Sequence, residues 1–304
     1  MDFKLPVNPV KIFLPVLCGS CILLSAGEAG EKTSLSKRLI RTGNQAAQAA
    51  VKISAELKSI GISAGELFAE ARKNPGQFLI PVPGHTRKRL ILIPARCDKI
   101  IADFLLGKYK QSGKFYSDPA AGKRIEKIME QLHRAASLPS RPRYFLLNDL
   151  SINAFCLPDG TILVTRGAIA NLPQKKLAAL LAHETGHAAA RHAAEKITKV
   201  LMQKAVAAYL SSRHGVLTVL GYGVGSRLGF LLPYSRQMEL EADKLAMIFL
   251  KKAGFDPHAL VALLKHIETE TQNREWLTEY LSTHPLTSNR IKHARNVLKE
   301  LKEK

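Results

Sequence analysis

The sequence predicts an α+β protein that is mostly helical, on three observations. Apolar residues recur with helical spacing over long stretches, at 99–137, 173–203, 235–253, 257–272 and 287–303. The stretches rich in β-branched and apolar residues are short and are bounded by proline, glycine or aspartate. With 46% hydrophobic residues among 304, the chain can also bury a full core.

Short strands are predicted in the middle of the chain. Tyr144–Leu147 is apolar and aromatic, and Thr161–Thr165 is β-branched and apolar, which is typical of a strand. Leu157-Pro158-Asp159-Gly160 ahead of the second strand is a turn signal. Residues 78–84 and 89–94 are predicted to be further extended segments around a turn.

Three regions are predicted along the chain. Residues 1–29 hold lysines, an apolar run from Ile12 to Ala26 and then small residues, as a secretory signal peptide does. A retained N-terminal anchor is the alternative, although the run is shorter than the about 20 residues that a membrane span needs. Residues 30–98 are predicted to be a helical and extended N-terminal extension, and residues 99–304 the main domain. Export predicts a location in the periplasm or cell envelope.

Cysteine usage leaves one question open. Removal of a signal peptide would remove Cys18 and Cys21 and leave Cys97 and Cys156. In an oxidising compartment these two thiols could pair, and they could equally stay free.

The chain is strongly basic, with a formal net charge of +20. The lysines and arginines are spread along the chain, aromatic residues make up only 6%, and no nucleic-acid-binding motif accompanies them, so no nucleic-acid partner is expected. The charge favours attraction to an anionic membrane surface or envelope polymer. A generally basic proteome would explain it equally well.

The pentapeptide His183-Glu184-Thr185-Gly186-His187 is the most informative motif. Histidines at i and i+4 of a helix face the same way and can hold one metal ion. Glu184 lies beside them, where a carboxylate can take a proton from an attacking water. Apolar residues flank the motif, so the helix is predicted to be buried; a surface helix with two solvated histidines is the less favoured alternative.

A catalytic zinc site needs a third protein ligand. One class of zinc peptidase supplies a histidine six residues after the second ligand, but Ala193 stands there. His192 lies about 140° away around a continuous helix, so it is expected to be a capping or solvated residue.

A later helix offers acids instead. Glu239 and Asp243 are spaced i,i+4 and share a face with apolar residues, so that face is expected to point inward. The pattern fits Glu239 as a metal ligand and Asp243 as a hydrogen-bond partner of a ligand imidazole. Glu241 should point outward. A helix N-terminus that favours acids is the alternative.

The pair formed by 183–187 and 239–243 resembles the HExxH and ExxxD motifs of the M48 family of zinc metallopeptidases, above all its bacterial periplasmic members. Three further stretches resemble family segments in the same order: 153–167, Tyr234-Ser235-Arg236, and Ser282-Thr283-His284-Pro285 with Arg290. The resemblance covers roughly residues 100–304.

The resemblance implies a gluzincin-type domain with a small β-sheet that edges the active-site cleft. It implies one Zn²⁺ per chain held by His183, His187 and Glu239, with Glu184 as the general base. The strand from Gly160 to Val164 would be the edge to which an extended substrate adds.

The resemblance also implies catalytic roles near the metal for His284 and Arg290. His284 would gate the site or help to stabilise the transition state, the latter together with Arg290. A helix-boundary residue and an ordinary solvated base are the alternatives. The implied function is a zinc metalloendopeptidase that hydrolyses misfolded polypeptides of the cell envelope. The alternative is a protease-like chaperone that binds peptides without cleaving them.

Overall fold

The computed structural model describes residues 61, 63–81, 88–138, 143–202, 234–271, 280, 283–285 and 288–303. The predicted signal segment 1–29 and nearly all of the predicted N-terminal extension before Ser63 lie outside these ranges. Within them, no helix has both the length and the apolar character needed to cross a membrane. The elements are mostly helices with two small sheets, which confirms the predicted fold class.

The N-terminal part consists of a helix, a short 3₁₀ turn, a hairpin and a second helix. They are α1 (Ala64–Lys73), the turn Pro75–Phe78, β1 (Leu79–Pro81), β2 (Lys88–Leu90) and α2 (Ala95–Gln111). The hairpin is antiparallel and pairs Ile80 with Arg89. The predicted boundary between residues 98 and 99 falls inside α2.

Most of the stretch predicted to be helical at 99–137 is helical, but it is divided between two helices. The chain leaves α2 through Gly113, whose φ of 66° suits a residue without a Cβ. It then enters α3 (Pro119–Ala136), where the Asp118 carboxylate accepts hydrogen bonds from the first free backbone N–H groups. Pro119 fits this first helical position because it has no N–H to leave unpaired.

A three-stranded sheet lies at the centre, built from β3 (Tyr144–Leu147), β4 (Ala154–Cys156) and β5 (Ile162–Thr165). The strand order is β3-β5-β4, with β5 parallel to β3 and antiparallel to β4. The strand that the resemblance implied as an edge, 160–164, is therefore the central one, and that expectation is wrong. In the described residues β4 pairs on one side only, while residues 114–116 bond to part of β3.

The sheet separates two apolar cores. Ile162 and Val164 face one core, and Leu163 between them faces the other, as the two-residue period of a strand requires. The larger core also contains apolar side chains of α3 and of the helices described next. The smaller core joins Leu67 and Ile91 of the N-terminal part to helical residues 194–201.

Five helices follow β5. They are α4 (Arg166–Asn171), α5 (Gln174–Ala189), α6 (Arg236–Lys252), α7 (His258–Thr271) and α8 (Ser288–Lys302). The helix predicted to run to residue 203 is interrupted: α5 ends at Ala189, and helical residues resume at 192–202. Arg191 between them adopts φ 53°, an unusual conformation for a residue other than glycine. Two hydrogen bonds from its guanidinium to Asp98 and one to the carbonyl of Ile93 hold this turn.

Candidate metal centre

Helix α5 presents the HExxH residues inside the protein. Its residues from Leu177 to His187 are all buried, because an apolar surround packs against every side of this helix. His183, Glu184 and His187 are each at most 1% exposed. Three ionisable side chains at such depth need partners or a cation to offset their desolvation.

Helix α6 crosses α5 at Gly186. The backbone carbonyl oxygen of Ala242 lies so close that a Cβ added to Gly186 would be 2.7 Å from it. The glycine of the motif therefore allows the two backbones to approach closely. This approach brings Glu239 of α6 beside the two histidines of α5.

The donor atoms of these three residues converge. The Nε2 atoms of His183 and His187 are 3.1 Å apart, and they lie 3.5 and 3.3 Å from the Oε2 and Oε1 atoms of Glu239. A tetrahedral zinc ion with ligands at about 2.0–2.1 Å has ligand–ligand edges of about 3.3 Å. The two histidines and the glutamate therefore fit one tetrahedral divalent cation.

His284 supplies a fourth donor. Its Nδ1 lies 3.3 Å from His183 Nε2 and 3.1 Å from Glu239 Oε1, so the four residues form one candidate metal cluster. Two backbone hydrogen bonds fix its segment: His284 N–H donates to Tyr280, and Tyr234 N–H donates to Thr283. The Tyr280 ring also stacks on the imidazole of His284 at 4.8 Å.

Glu184 lies next to this cluster without belonging to it. Its Oε1 is 3.6 Å from His284 Nε2, and the backbone of Cys156 in β4 also approaches its carboxylate. Burial raises the pKa of Glu184, against the lowering effect of His284 and His183. A carboxylate with a raised pKa is better matched to proton transfer near neutral pH.

Asp243 and Arg290 lie behind the cluster. Asp243 Oδ1 is 2.9 Å from His183 Nδ1, the ring nitrogen that points away from the other donors. The Arg290 guanidinium donates two hydrogen bonds of 2.8 Å to Asp243, and its NH1 is 2.6 Å from Glu239 Oε2. Burial opposes ionisation of Glu239, but Arg290 and His284 outweigh it and hold the pKa of Glu239 well below its ordinary value.

His192 was expected to be capping or solvated, and that expectation is wrong. The break after Ala189 turns the next helical segment, so that His192 Nδ1 lies 2.9 Å from His187 Nδ1. The His192 side chain is fully buried. Ala188–Arg191 contains no glycine or proline, so the sequence carried no signal for this break.

Glu241 was expected to point outward, and its surroundings correct that expectation. It faces away from the cluster, but its Oε2 lies 3.4 Å from His192 Nε2. Arg89 of β2 covers it and donates hydrogen bonds of 2.8 and 3.1 Å to the two carboxylate oxygens. The side chain of Glu241 is 13% exposed as a result.

Two more residues near the cluster had no predicted role. The Tyr234 ring stacks on the His187 ring with centroids 3.8 Å apart. Lys196 Nζ lies over the Tyr234 ring, 3.8 Å from its centroid. Lys196 is 5% exposed. Burial lowers the pKa of Lys196 to about 7, against the opposing effect of Glu239 and Glu184.

Cys97 and Cys156 are not joined. Both thiols are free and buried, Cys97 in α2 and Cys156 in β4. Burial raises the pKa of each thiol. Of the two alternatives left open by the sequence, the structure has the two free thiols.

Comparisons with known proteins point to the same chemistry. The sequence profile of peptidase family M48 matches residues 119–298. The mitochondrial metalloendopeptidase OMA1 of Schizosaccharomyces pombe is 36% identical over 165 residues, which cover 52% of this chain and 47% of that protein. The OMA1 protein of Arabidopsis thaliana is 37% identical over 156 residues, covering 48% of this chain and 30% of that protein.

A bacterial relative covers more of the chain. The beta-barrel assembly-enhancing protease of Escherichia coli is 28% identical over 209 residues, which cover 64% of this chain and 42% of that protein. The chain thus spans less than half the length of each of these three relatives.

Proposed function

The chain belongs to peptidase family M48, and we propose that it is a zinc-dependent endopeptidase. The observation that carries the proposal is the set of donor atoms from His183, His187 and Glu239, spaced 3.1–3.5 Å apart with Glu184 beside them. One Zn²⁺ per chain fits this set. When bound, zinc would polarise a peptide carbonyl and make water a stronger nucleophile.

Glu184 acts as the general base. Its carboxylate takes a proton from the water that attacks the scissile carbonyl and then passes that proton to the leaving amine. Its buried position beside the cluster, outside the set of proposed ligands, supports this role. A purely structural metal site would have no use for such a carboxylate.

The substrate is an extended, unfolded polypeptide segment. The backbones of Asn153 and Leu157 bond to those of Thr165 and Thr161, so the backbone groups of Ala154 and Cys156 point away from β5. A peptide that adds to this side of β4 would be held by main-chain hydrogen bonds, which depend little on its sequence. Misfolded proteins of the cell envelope are the proposed targets, and an anionic membrane surface is a further proposed partner.

The arrangement with His284 in the cluster represents a latent state. A catalytic zinc site keeps one position for water, whereas His284 Nδ1 lies 3.3 Å from His183 Nε2 and 3.1 Å from Glu239 Oε1, close enough to be a fourth ligand. His284 must move before water can bind there. Gating by His284 therefore accounts for its place in the cluster better than a direct role in the transition state.

Digestion of unfolded casein by the zinc-loaded protein tests the proposal. We expect hydrolysis that 1,10-phenanthroline abolishes and that Glu184→Gln lowers by about 10²–10⁴-fold, since it removes the general base. The variant should keep its zinc. The matched control is Glu268→Gln, which changes an exposed glutamate of α7 in the same way.

Two results would count against the proposal. Hydrolysis that persists in Glu184→Gln would mean that another residue is the base or that a contaminant cleaves casein. A zinc-loaded protein that prevents aggregation of unfolded casein without cleaving it would favour the peptide-binding chaperone.

A further inference from the structure

Each ligand histidine has its second ring nitrogen engaged by a different set of residues. His183 Nδ1 faces Asp243, which Arg290 holds with two hydrogen bonds. His187 Nδ1 faces His192 at 2.9 Å, and His192 leads on to Glu241 and Arg89. Both sets end on an arginine, the first on Arg290 of α8 and the second on Arg89 of β2.

In the second set, one placement of the ring protons lets each group donate a hydrogen bond to the next. A neutral His187 that offers its Nε2 lone pair to a metal carries its proton on Nδ1. That N–H can donate to His192 Nδ1, whose own proton then sits on Nε2 and can donate to Glu241. Glu241, an acceptor only, also accepts from Arg89.

Arg89 comes from the N-terminal hairpin. It lies outside residues 119–298, which match the family profile. Its side chain is 9% exposed, and it also contacts Glu195 at 3.3 Å. The residues after β2 anchor the hairpin to helical residues 192–202. The Leu92 backbone N–H donates to the Thr198 hydroxyl, while Ile91 and Ile93 lie in the smaller core.

We propose that Arg89 is a positioning residue of the metal centre, which acts through Glu241 and His192 to fix the ring orientation and tautomer of His187. The proposal rests on the proposed zinc site. It makes the N-terminal hairpin a part of that site rather than an appendage. Outer partners of metal-binding histidines typically contribute about 10–100-fold to metal affinity.

The zinc dissociation constant of the full chain, measured by competition with a chelating dye at fixed pH, tests the proposal. We expect His192→Leu to weaken zinc binding by about 10–100-fold and Arg89→Met by at least about threefold, because Arg89 acts one step further out. Circular dichroism checks that each variant is folded. Arg89→Met keeps most of the aliphatic length of the side chain and removes the guanidinium group.

Arg96→Met is the matched control. Arg96 lies in the same N-terminal part, and it pairs at 3.1 Å with Glu70 through a side chain that is 67% exposed. It does not enter the set that joins Arg89, Glu241 and His192. This variant makes the same chemical change and should keep the zinc affinity of the wild type.

A double-mutant cycle separates positioning from a general effect on the fold. If Arg89 acts through His192, the Arg89→Met penalty on zinc binding should vanish when His192 is already Leu. A penalty that persists in full in that background would overturn the proposal, and so would wild-type zinc affinity in folded Arg89→Met. A wild type that binds no zinc would overturn both this proposal and the proposed function.

Discussion

Arg290 and Asp243 form a two-pronged ion pair, with two hydrogen bonds of 2.8 Å, in which both side chains are at most 1% exposed. The third nitrogen of the same guanidinium contacts the proposed ligand Glu239. Burial opposes the charge of Arg290, but Asp243 and Glu239 outweigh it and hold the pKa of Arg290 well above its ordinary value. The arginine thus offsets the charge of two buried acids behind the cluster.

Arg290→Met should destabilise the protein strongly. Removing one partner leaves Asp243 and Glu239 as uncompensated buried charges, which costs about 3–5 kcal/mol in unfolding free energy. Guanidinium unfolding measures this, with the exposed Arg295→Met on the same helix as the control. A stable Arg290→Met variant that keeps zinc and loses only turnover would instead support the transition-state role predicted from the sequence.

Gly186→Ala should push α5 and α6 apart. The new Cβ would meet the Ala242 carbonyl oxygen at 2.7 Å, so the backbone must shift. We expect the free energy of unfolding to fall by about 1–3 kcal/mol and zinc to bind more weakly. Gly107→Ala in α2 is the control, because its Cβ would meet no atom within 4 Å. The free energy of unfolding of that control should rise by up to about 1 kcal/mol, because alanine has a higher helix propensity than glycine. If the two substitutions changed the free energy of unfolding equally, the backbones of α5 and α6 would not be in close contact at Gly186.

His284→Ala should raise proteolysis. If the open state is a minor one, populated at about 0.1–10%, removal of the fourth donor should increase casein turnover by at least about tenfold. Zinc content should stay near that of the wild type, since three ligands remain. His293→Ala, a histidine outside the cluster, serves as the control. A fall in turnover with zinc retained would contradict gating and favour a catalytic role.

Lys196→Met should stabilise the metal-free protein, and the gain should depend on pH. The pKa of Lys196 is about 7 in the fold against 10.5 for the free side chain. Between these values only the unfolded chain holds the proton, so the fold loses stability as the pH falls from 10.5 to 7, and the loss is complete below 7.

Urea unfolding at pH 7 and at pH 9.5 measures this effect. The free energy of unfolding of Lys196→Met should exceed that of the wild type by about a few kcal/mol at pH 7, and the difference should be clearly smaller at pH 9.5. Lys199→Met changes a lysine of the same helical segment that is 52% exposed and should show no such pH dependence. A constant advantage at both pH values would mean that Lys196 does not titrate in this range.

The sequence predicted the parts of the site that depend on local helix geometry. The i,i+4 spacing of His183 and His187 puts both rings on one side of any helix, and the same spacing aligns Glu239 with Asp243. Helix bounds were predicted to within about two residues at α6, α7 and α8. These features follow from residues close together in the chain.

The sequence could not predict features that depend on distant contacts. The break after Ala189 is held by Asp98, which lies 93 residues from Arg191. The place of His192 beside His187 follows from that break. Likewise, nothing in the composition of residues 160–164 distinguishes a central strand from an edge strand, because the difference lies in which strand pairs on the far side.

The zinc content of purified His284→Ala, compared with that of the same protein carrying Glu239→Ala as well, is the sharpest test of the proposed ligand set; it is measured by mass spectrometry of the metal after gel filtration. We predict about one zinc per His284→Ala chain and almost none in the double variant, because His183 and His187 alone would hold the ion weakly. Full zinc content in a folded double variant would contradict the assignment of Glu239, since a different residue would then be the third ligand.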